Sequence, residues 1–198
     1  MADLPYQQTL SEAAAIGRVL HREDIYGSGP PVTMASSEVV SLIMLHGGDT
    51  VLDVGCGIGV YVAALRDRGI SACGIEVNAD YVSTARDLNR DVALYDGGTM
   101  PFEDGSFDTA IAIEVLEHIP DWQATLREML RVARRCVLIS VPNIGVIPSM
   151  SRHMVVPWHL LEATHVNFFT SDILSRYLQN IDGVESQVFT VWRVSSQW

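Results

Sequence analysis

The decapeptide VLDVGCGIGV, Val51 to Val60, sets glycines at 55, 57 and 59 directly behind an apolar run that carries Asp53. Glycines let a backbone turn sharply and approach a ligand with no Cβ in the way. A dinucleotide loop would read G-x-G-x-x-G. Counted from Gly55 and Gly57, its third glycine falls at position 60, which is Val60. Asp53 stands two residues ahead of the loop, where a carboxylate repels a pyrophosphate and suits a cofactor with a cationic amino group. Glu76 closes the next apolar segment, in GIEVN, and a carboxylate there can accept hydrogen bonds from two ribose hydroxyls. Asp96, in the turn YDGG, can accept from an exocyclic adenine amine. The plain alternatives are a strand–turn–helix without a ligand, an Asp53 that caps local amides, and a Cys56 that merely fills the loop, with no neighbouring base to make it a nucleophile.

A second constellation is EVLEH, with Glu114, Glu117 and His118. If this stretch opens a helix, positions i, i+3 and i+4 share one face. Two carboxylates and an imidazole on one face can hold a divalent metal or supply a general base. His165, in ATHVNFFT, can join them from the region after the fifth apolar segment. The third reading is structural: Glu114 caps a strand end and His118 bonds a neighbouring loop. His153 and His159 are weaker loop candidates. Trp158, Phe168 and Phe169 are candidates to wall a substrate pocket, with core packing the better reading for the phenylalanines.

Four stretches, in order, resemble the class I S-adenosylmethionine (SAM) dependent methyltransferases: VLDVGCGIG, GIEVN, DGGTMPFEDGSFDTAIAIEVLEHIPD and CVLISVPN. The resemblance covers Val51 to Asn143, with THVNFFTSDIL at 164–174. It implies SAM as cofactor and S-adenosylhomocysteine as product. It implies that Gly55, Cys56, Gly57 and Gly59 hold the methionine part near Asp53, that Glu76 holds the ribose with Val77 beside it, that Asp96 and Gly97 hold the adenine, and that Glu114 sits beside the sulfonium. Some relatives, the small-RNA 2′-O-methyltransferases among them, hold a metal with a Glu-x-x-Glu-His pattern and a later histidine. That would make Glu114, Glu117, His118 and His165 the ligands here. Certain quinone-pathway O-methyltransferases look similar, and many more relatives carry EVLEH with no metal. The chain departs from the family where RVARRC replaces a glycine-rich turn before the fifth strand. The family's final antiparallel strand is expected to be short or absent.

The elements that must position these residues read as alternating strands and helices. Strands are expected at 50–54, 70–75, 91–94, 108–113 and 136–141, and helices at 58–67, 79–88 and 121–134, with Asn78 and Asp121 as caps. Apolar strands alternating with helices predict an α/β fold, a Rossmann-like doubly wound, mostly parallel sheet with helices on both faces. Ligands in such sheets sit at the carboxyl ends of the strands. Ahead of the sheet, TLSE at 9–12 fits a capping box opening a helix to about His21, YGSGPP at 26–31 reads as a loop, and a second helix spans 36–46. Beyond it, 171–178 reads as helix and 184–192 as strand. We read 1–198 as one methyltransferase domain: a helical cap over 1–48 able to act as a lid, a SAM-binding core over 49–143, and a substrate-side segment over 144–198.

Composition narrows the function. The formal net charge of −11 repels phosphate backbones and disfavours nucleic acid as a partner. The best basic cluster, Arg127, Arg131, Arg134 and Arg135, reads as a solvated helix face. Three cysteines, Cys56, Cys73 and Cys136, with no CxxC pair, read as reduced thiols in a cytoplasmic protein. The N-terminus lacks a signal-peptide pattern, and no apolar run reaches membrane-spanning length. The expected activity is methyl transfer from SAM to a small-molecule acceptor, at a hydroxyl oxygen. The alternatives are a metal-dependent RNA 3′-terminal 2′-O-methyltransferase and a non-catalytic SAM-binding module.

Overall fold

The computed structural model describes residues 33–146 and 164–189. The expected helix at 9–21, the loop at 26–31, and His153, Trp158 and His159 lie outside the described residues. Contacts divide the chain into two units, one ending at Val141 and the other beginning at Pro142.

In the first unit, five apolar runs become strands β1 (Thr50–Val54), β2 (Ser71–Glu76), β3 (Val92–Leu94), β4 (Phe107–Ile113) and β5 (Ala133–Ser140). They lie side by side in the order β3-β2-β1-β4-β5, every neighbouring pair parallel. Strands buried on both faces read as continuous apolar runs rather than alternating ones, and Val51–Val54 and Asp108–Ala112 are buried throughout. From β1 the chain steps outward to β2 and β3, then returns to β4 on the other side of β1. Right-handed crossovers then place the β1–β2 and β2–β3 helices on one face and the β4–β5 helix on the other. The reversal makes the β1/β4 boundary the switch point, where the carboxyl ends of the strands open a crevice.

The helices are α1 (Ser37–His46), α2 (Val60–Arg66), α3 (Ala79–Asp87) and α4 (Trp122–Val132). Asn78 caps α3, its Oδ1 accepting from the amides of Asp80 at 2.9 Å and Tyr81 at 3.3 Å. Asp121 caps α4 by accepting from the Ala124 amide at 3.1 Å. Buried residues at helical spacing fix the inward faces: Val82 and Ala85 on α3, and Trp122, Leu126, Met129 and Val132 on α4. The expected boundary between α4 and β5 is corrected. The helix stops at Val132 and the strand starts at Ala133, with no intervening turn. Ala133 adopts φ −94° and ψ 128°, so the chain passes straight from helix to strand.

That boundary also corrects the reading of the arginines. Arg134 is a strand residue whose guanidinium lies 2.9 Å from Asp108 Oδ1, and Arg131 is held in a hydrogen-bonded network described below. The four arginines therefore do not share one helix face. Asp108 organises the amino ends of the strands. Its Oδ2 accepts from the amides of Asp49 at 2.9 Å and Thr50 at 3.1 Å and from the Thr50 hydroxyl at 3.1 Å. Thr109 adds a buried bond of 2.6 Å to the Gly47 carbonyl. Gly48, at φ 75°, lies so close that a Cβ there would meet the Asp108 carboxyl carbon at 2.7 Å.

The second unit is smaller in its described part. A 3-10 turn, Ile144–Val146, follows Asn143, which forms a parallel bridge with Phe169. Helix α5 (Ser171–Gln179) is capped by Thr170 Oγ1, which accepts from the Ile173 amide at 3.2 Å. Phe169 and Leu174 are buried and Phe168 is exposed, so one of the two phenylalanines is a packing residue. Residues 184–189, expected as the start of a strand, carry none, and 190–192 lie outside the described residues. No helix among the described residues is long and apolar enough to cross a membrane.

The Asp108 carboxyl is held below its ordinary value of 3.8 by the Asp49 amide first, then by the Thr50 amide and hydroxyl and by Arg134, against the opposing effect of burial. A depressed folded value contributes stability that is present above about pH 4 and lost as pH falls through it. Thermal melts between about pH 3 and 7 should therefore show the wild type losing stability on acidification. Asp108→Asn should melt lower at pH 7 and show a flatter pH dependence. Identical curves for the two proteins would remove Asp108 from this role.

Candidate functional site

The turn from β1 to α2 is built by close approach. Gly55, at φ 67°, lies where a Cβ would meet Val115 Cγ1 at 2.6 Å, so both its conformation and its surroundings demand glycine. Its amide donates to the Ile75 carbonyl at 2.8 Å, which ties the turn to the end of β2. Gly57, at φ 55°, differs: a Cβ there would have no described atom within 4 Å. It faces open space, a cradle that a side chain would fill. Cys56 is buried against Gly74 of β2, and burial pushes its thiol well above the ordinary range. It is a packing residue with no nucleophilic character at neutral pH.

The acids follow the strand ends as expected. Asp53, inside β1, is 2% exposed, and its Oδ2 accepts no hydrogen bond from any described residue. Burial first, and the charge of Glu76 second, hold its carboxyl well above the usual carboxylate range. The alternative in which Asp53 caps local amides leaves that buried oxygen unexplained. Glu76 is buried at the end of β2, with Oε2 accepting from the Gly57 amide and Oε1 from the Asn78 amide, both at 2.8 Å. Each oxygen keeps acceptor capacity for a hydroxyl. Glu76 thus also braces the glycine turn, a task the sequence did not announce. Val77 beside it is 61% exposed. Asp96 Oδ1 accepts from the Gly98 amide at 2.9 Å, and Gly97 adopts φ 85° in the same turn.

The exit from β4 departs from expectation. Glu114, Glu117 and His118 do not share a helix face. Glu114 is a single left-handed residue at φ 56°, followed by a 3-10 turn, Leu116–His118. A non-glycine residue held there stores strain, and such residues gather at functional sites. The Glu114 amide donates to the Ser140 carbonyl at 3.0 Å, and Ser140 Oγ donates to Glu114 Oε1 at 2.6 Å. The carboxylate of Glu114 is thereby directed to the end of β5. Glu117 is 1% exposed, and its Oε1 lies 4.0 Å from His118 Nε2, while the His118 side chain is 35% exposed. The turn thus sets a buried carboxylate beside a half-exposed imidazole. His165 is buried in the second unit. Val115 and Ser140 shape this edge and were invisible to sequence reasoning, because their partners lie far away along the chain.

These residues fit SAM on three observations: an orphaned buried carboxylate oxygen at Asp53 for a cationic amino group, an open cradle at Gly57, and a two-oxygen acceptor at Glu76. Comparisons with known proteins agree. A family profile described as a methyltransferase domain matches residues 33–182. Norajmaline N-methyltransferase of Rauvolfia serpentina is 30% identical over 143 residues, covering 60% of this chain and 48% of that protein. The 2-methyl-6-phytyl-1,4-hydroquinone methyltransferase of Synechocystis sp. is 38% identical over 93 residues, 44% of this chain and 29% of that protein. The chain thus spans half or less of the length of these curated relatives. A crystal structure of a SAM-dependent methyltransferase from Archaeoglobus fulgidus shares the fold at TM-score 0.58 and 19% identity, over 72% of this chain and 66% of that one.

Two substitutions test the site. A folded carboxyl raised above its unfolded value costs stability increasingly as pH rises above about 3.8. Asp53→Asn should therefore raise the melting temperature of the ligand-free protein at pH 7, where each kcal/mol relieved is worth ~2–4 °C. The same variant should bind S-adenosylhomocysteine more weakly in calorimetry, and unchanged affinity would separate Asp53 from the ligand. Glu76→Ala should weaken S-adenosylhomocysteine at least ~tenfold, since hydrogen bonds to a charged acceptor are worth about 1.5–3 kcal/mol. Tight NADH binding by the wild type would overturn the choice of cofactor.

Proposed function

The chain belongs to the class I SAM-dependent methyltransferases, with SAM as its cofactor, and on that premise we propose that it methylates a small molecule at a hydroxyl oxygen with His118 as general base. The observation that carries this reading is the Glu117–His118 pair, a buried carboxylate 4.0 Å from a half-exposed imidazole just past the carboxyl end of β4. Bound SAM supplies a methyl group already activated on a sulfonium. The chain's own work is then to hold and align, which supplies much of the acceleration. Asp53 receives the cationic amino group, Glu76 the ribose hydroxyls, and the Asp96–Gly97 turn the adenine. Glu114, directed by Ser140, stands at the β4–β5 boundary where the acceptor approaches. A hydroxyl must lose its proton to attack. His118 takes it on the ring nitrogen that does not face Glu117, and the buried Glu117 carboxylate, beside Nε2, stabilises the imidazolium that results.

A small-molecule acceptor is supported by the relatives, whose names specify norajmaline and a phytyl hydroquinone. An RNA acceptor is opposed by the charge of −11 and by the pairing of Arg131 with Asp104 and Glu128 and of Arg134 with Asp108, which offsets two cations of the best basic cluster the sequence offers. The metal reading takes Glu114, Glu117, His118 and His165 as ligands, and the Ser140 hydrogen bond to Glu114 Oε1 leaves that carboxylate further acceptor sites.

The test is transfer of labelled methyl from SAM to a panel of phenolic, catecholic and aliphatic hydroxyls, with amines as controls. His118→Ala should lower turnover ~10²–10⁴-fold while S-adenosylhomocysteine affinity stays near wild type. Activity should survive EDTA. Loss in chelator with recovery on adding a divalent cation, and a matching loss in His165→Ala, would replace the general base with a metal. Full activity in His118→Ala would end both readings.

A further inference from the structure

The segment from Tyr95 to Ser106 has no helix or strand, yet one side-chain pair on α4 fixes it. Arg131 makes five hydrogen bonds, the full donor count of a guanidinium. Nε donates to Glu128 Oε1 at 2.9 Å and Nη2 to Glu128 Oε2 at 2.8 Å. Nη1 donates to the Phe102 carbonyl at 2.7 Å and to Asp104 Oδ1 at 2.9 Å, and Nη2 to the Met100 carbonyl at 3.0 Å. Glu128 Oε2 accepts in turn from the Met100 amide at 2.8 Å. The pair therefore engages both peptide groups of Met100, as a neighbouring strand would, and the Met100 side chain is 1% exposed. The Gly105 amide closes the far end on the Arg131 carbonyl at 2.8 Å.

Upstream, the same segment holds the Asp96 turn. The Tyr95 amide donates to the Glu76 carbonyl at 2.9 Å. The Tyr95 hydroxyl donates to the Gly98 carbonyl, and the Gly98 amide donates to Asp96 Oδ1. Asp96 is thus suspended between two anchors, the end of β2 on one side and the α4 pair at Met100 on the other. Its Oδ1 is engaged with Gly98, which leaves Oδ2 to meet a ligand.

We propose that Arg131 and Glu128 are positioning residues for adenine recognition: they touch no cofactor, and they set where Asp96 stands by clasping Met100. This rests on the assignment of Asp96 to the adenine amine made above.

The experiment compares binding of S-adenosylhomocysteine with S-inosyl-L-homocysteine, which carries an oxo group in place of the exocyclic amine. Both dissociation constants are measured by calorimetry for wild type, Asp96→Asn, Arg131→Lys and Glu128→Gln, with thermal melts alongside. Wild type should prefer the adenosyl ligand at least ~tenfold, and Asp96→Asn should abolish that preference. Arg131→Lys and Glu128→Gln should each reduce the preference about threefold or more, since a recognising group loosened by a fraction of an ångström loses selectivity. A purely structural pair would lower the melting temperature, or weaken both ligands equally, with the preference intact. That result, with Asp96→Asn still losing it, overturns the positioning role alone. A preference that survives Asp96→Asn overturns the adenine assignment and this inference together. If Arg131→Lys does not fold, Glu128→Gln decides.

Discussion

The turn from β1 to α2 is pressed from three directions, and the rest of the site depends on that confinement. Val115, leaving β4, occupies the space beside Gly55; Gly74 of β2 receives Cys56; and Val92 of β3 sits where a side chain on Gly59 would be. Each neighbour comes from a different strand, so the turn has its shape only when β3, β2, β1 and β4 stand in that order. Of the turn's three glycines, Gly57 is the one on which a Cβ would meet no described atom within 4 Å. Close packing thus defines the opening by closing everything around it.

Electrostatics works against packing at the same edge. Asp53, Glu76 and Glu117 are all buried carboxylates in a chain that already carries a net charge of −11. Burying a carboxylate is costly unless it is paired or protonated. Glu76 offsets the cost with two backbone amides, whereas Asp53 is driven toward its protonated form. A cationic amino group placed at Asp53 would relieve that cost. Stability given up at a binding site in this way is the usual exchange between rigidity and function.

The opposite end of the sheet carries the compensating order. Asp108 gathers three donors from the start of β1 and an arginine from β5, and Thr109 reaches back to Gly47. Polar groups there are satisfied and the strand ends are pinned. Helix α4 and the strand that follows it add to this order: Arg134 goes to Asp108, and Arg131 to the loop that runs from β3 into β4. Two residues three apart in sequence take different partners because the helix stops between them at Val132.

Much of this was legible in the sequence where the signal was local. Apolar runs marked the strands, Asn78 and Asp121 marked helix starts, and the glycines of 55–59 marked the turn from β1 to α2, with Asp53 and Glu76 singled out beside it. Those features depend on a residue and its near neighbours, and periodicity and capping chemistry report them directly. What tertiary structure alone decided involves partners far apart. The left-handed backbone at Glu114 and its link to Ser140, Val115 against Gly55, Arg131 on Met100, and Arg134 on Asp108 each join residues some 25 or more positions apart. No periodicity encodes such pairs. The helix face expected for Glu114, Glu117 and His118 failed for that reason: spacing predicts a face only if a helix forms, and the end of β5, not local propensity, set the backbone there.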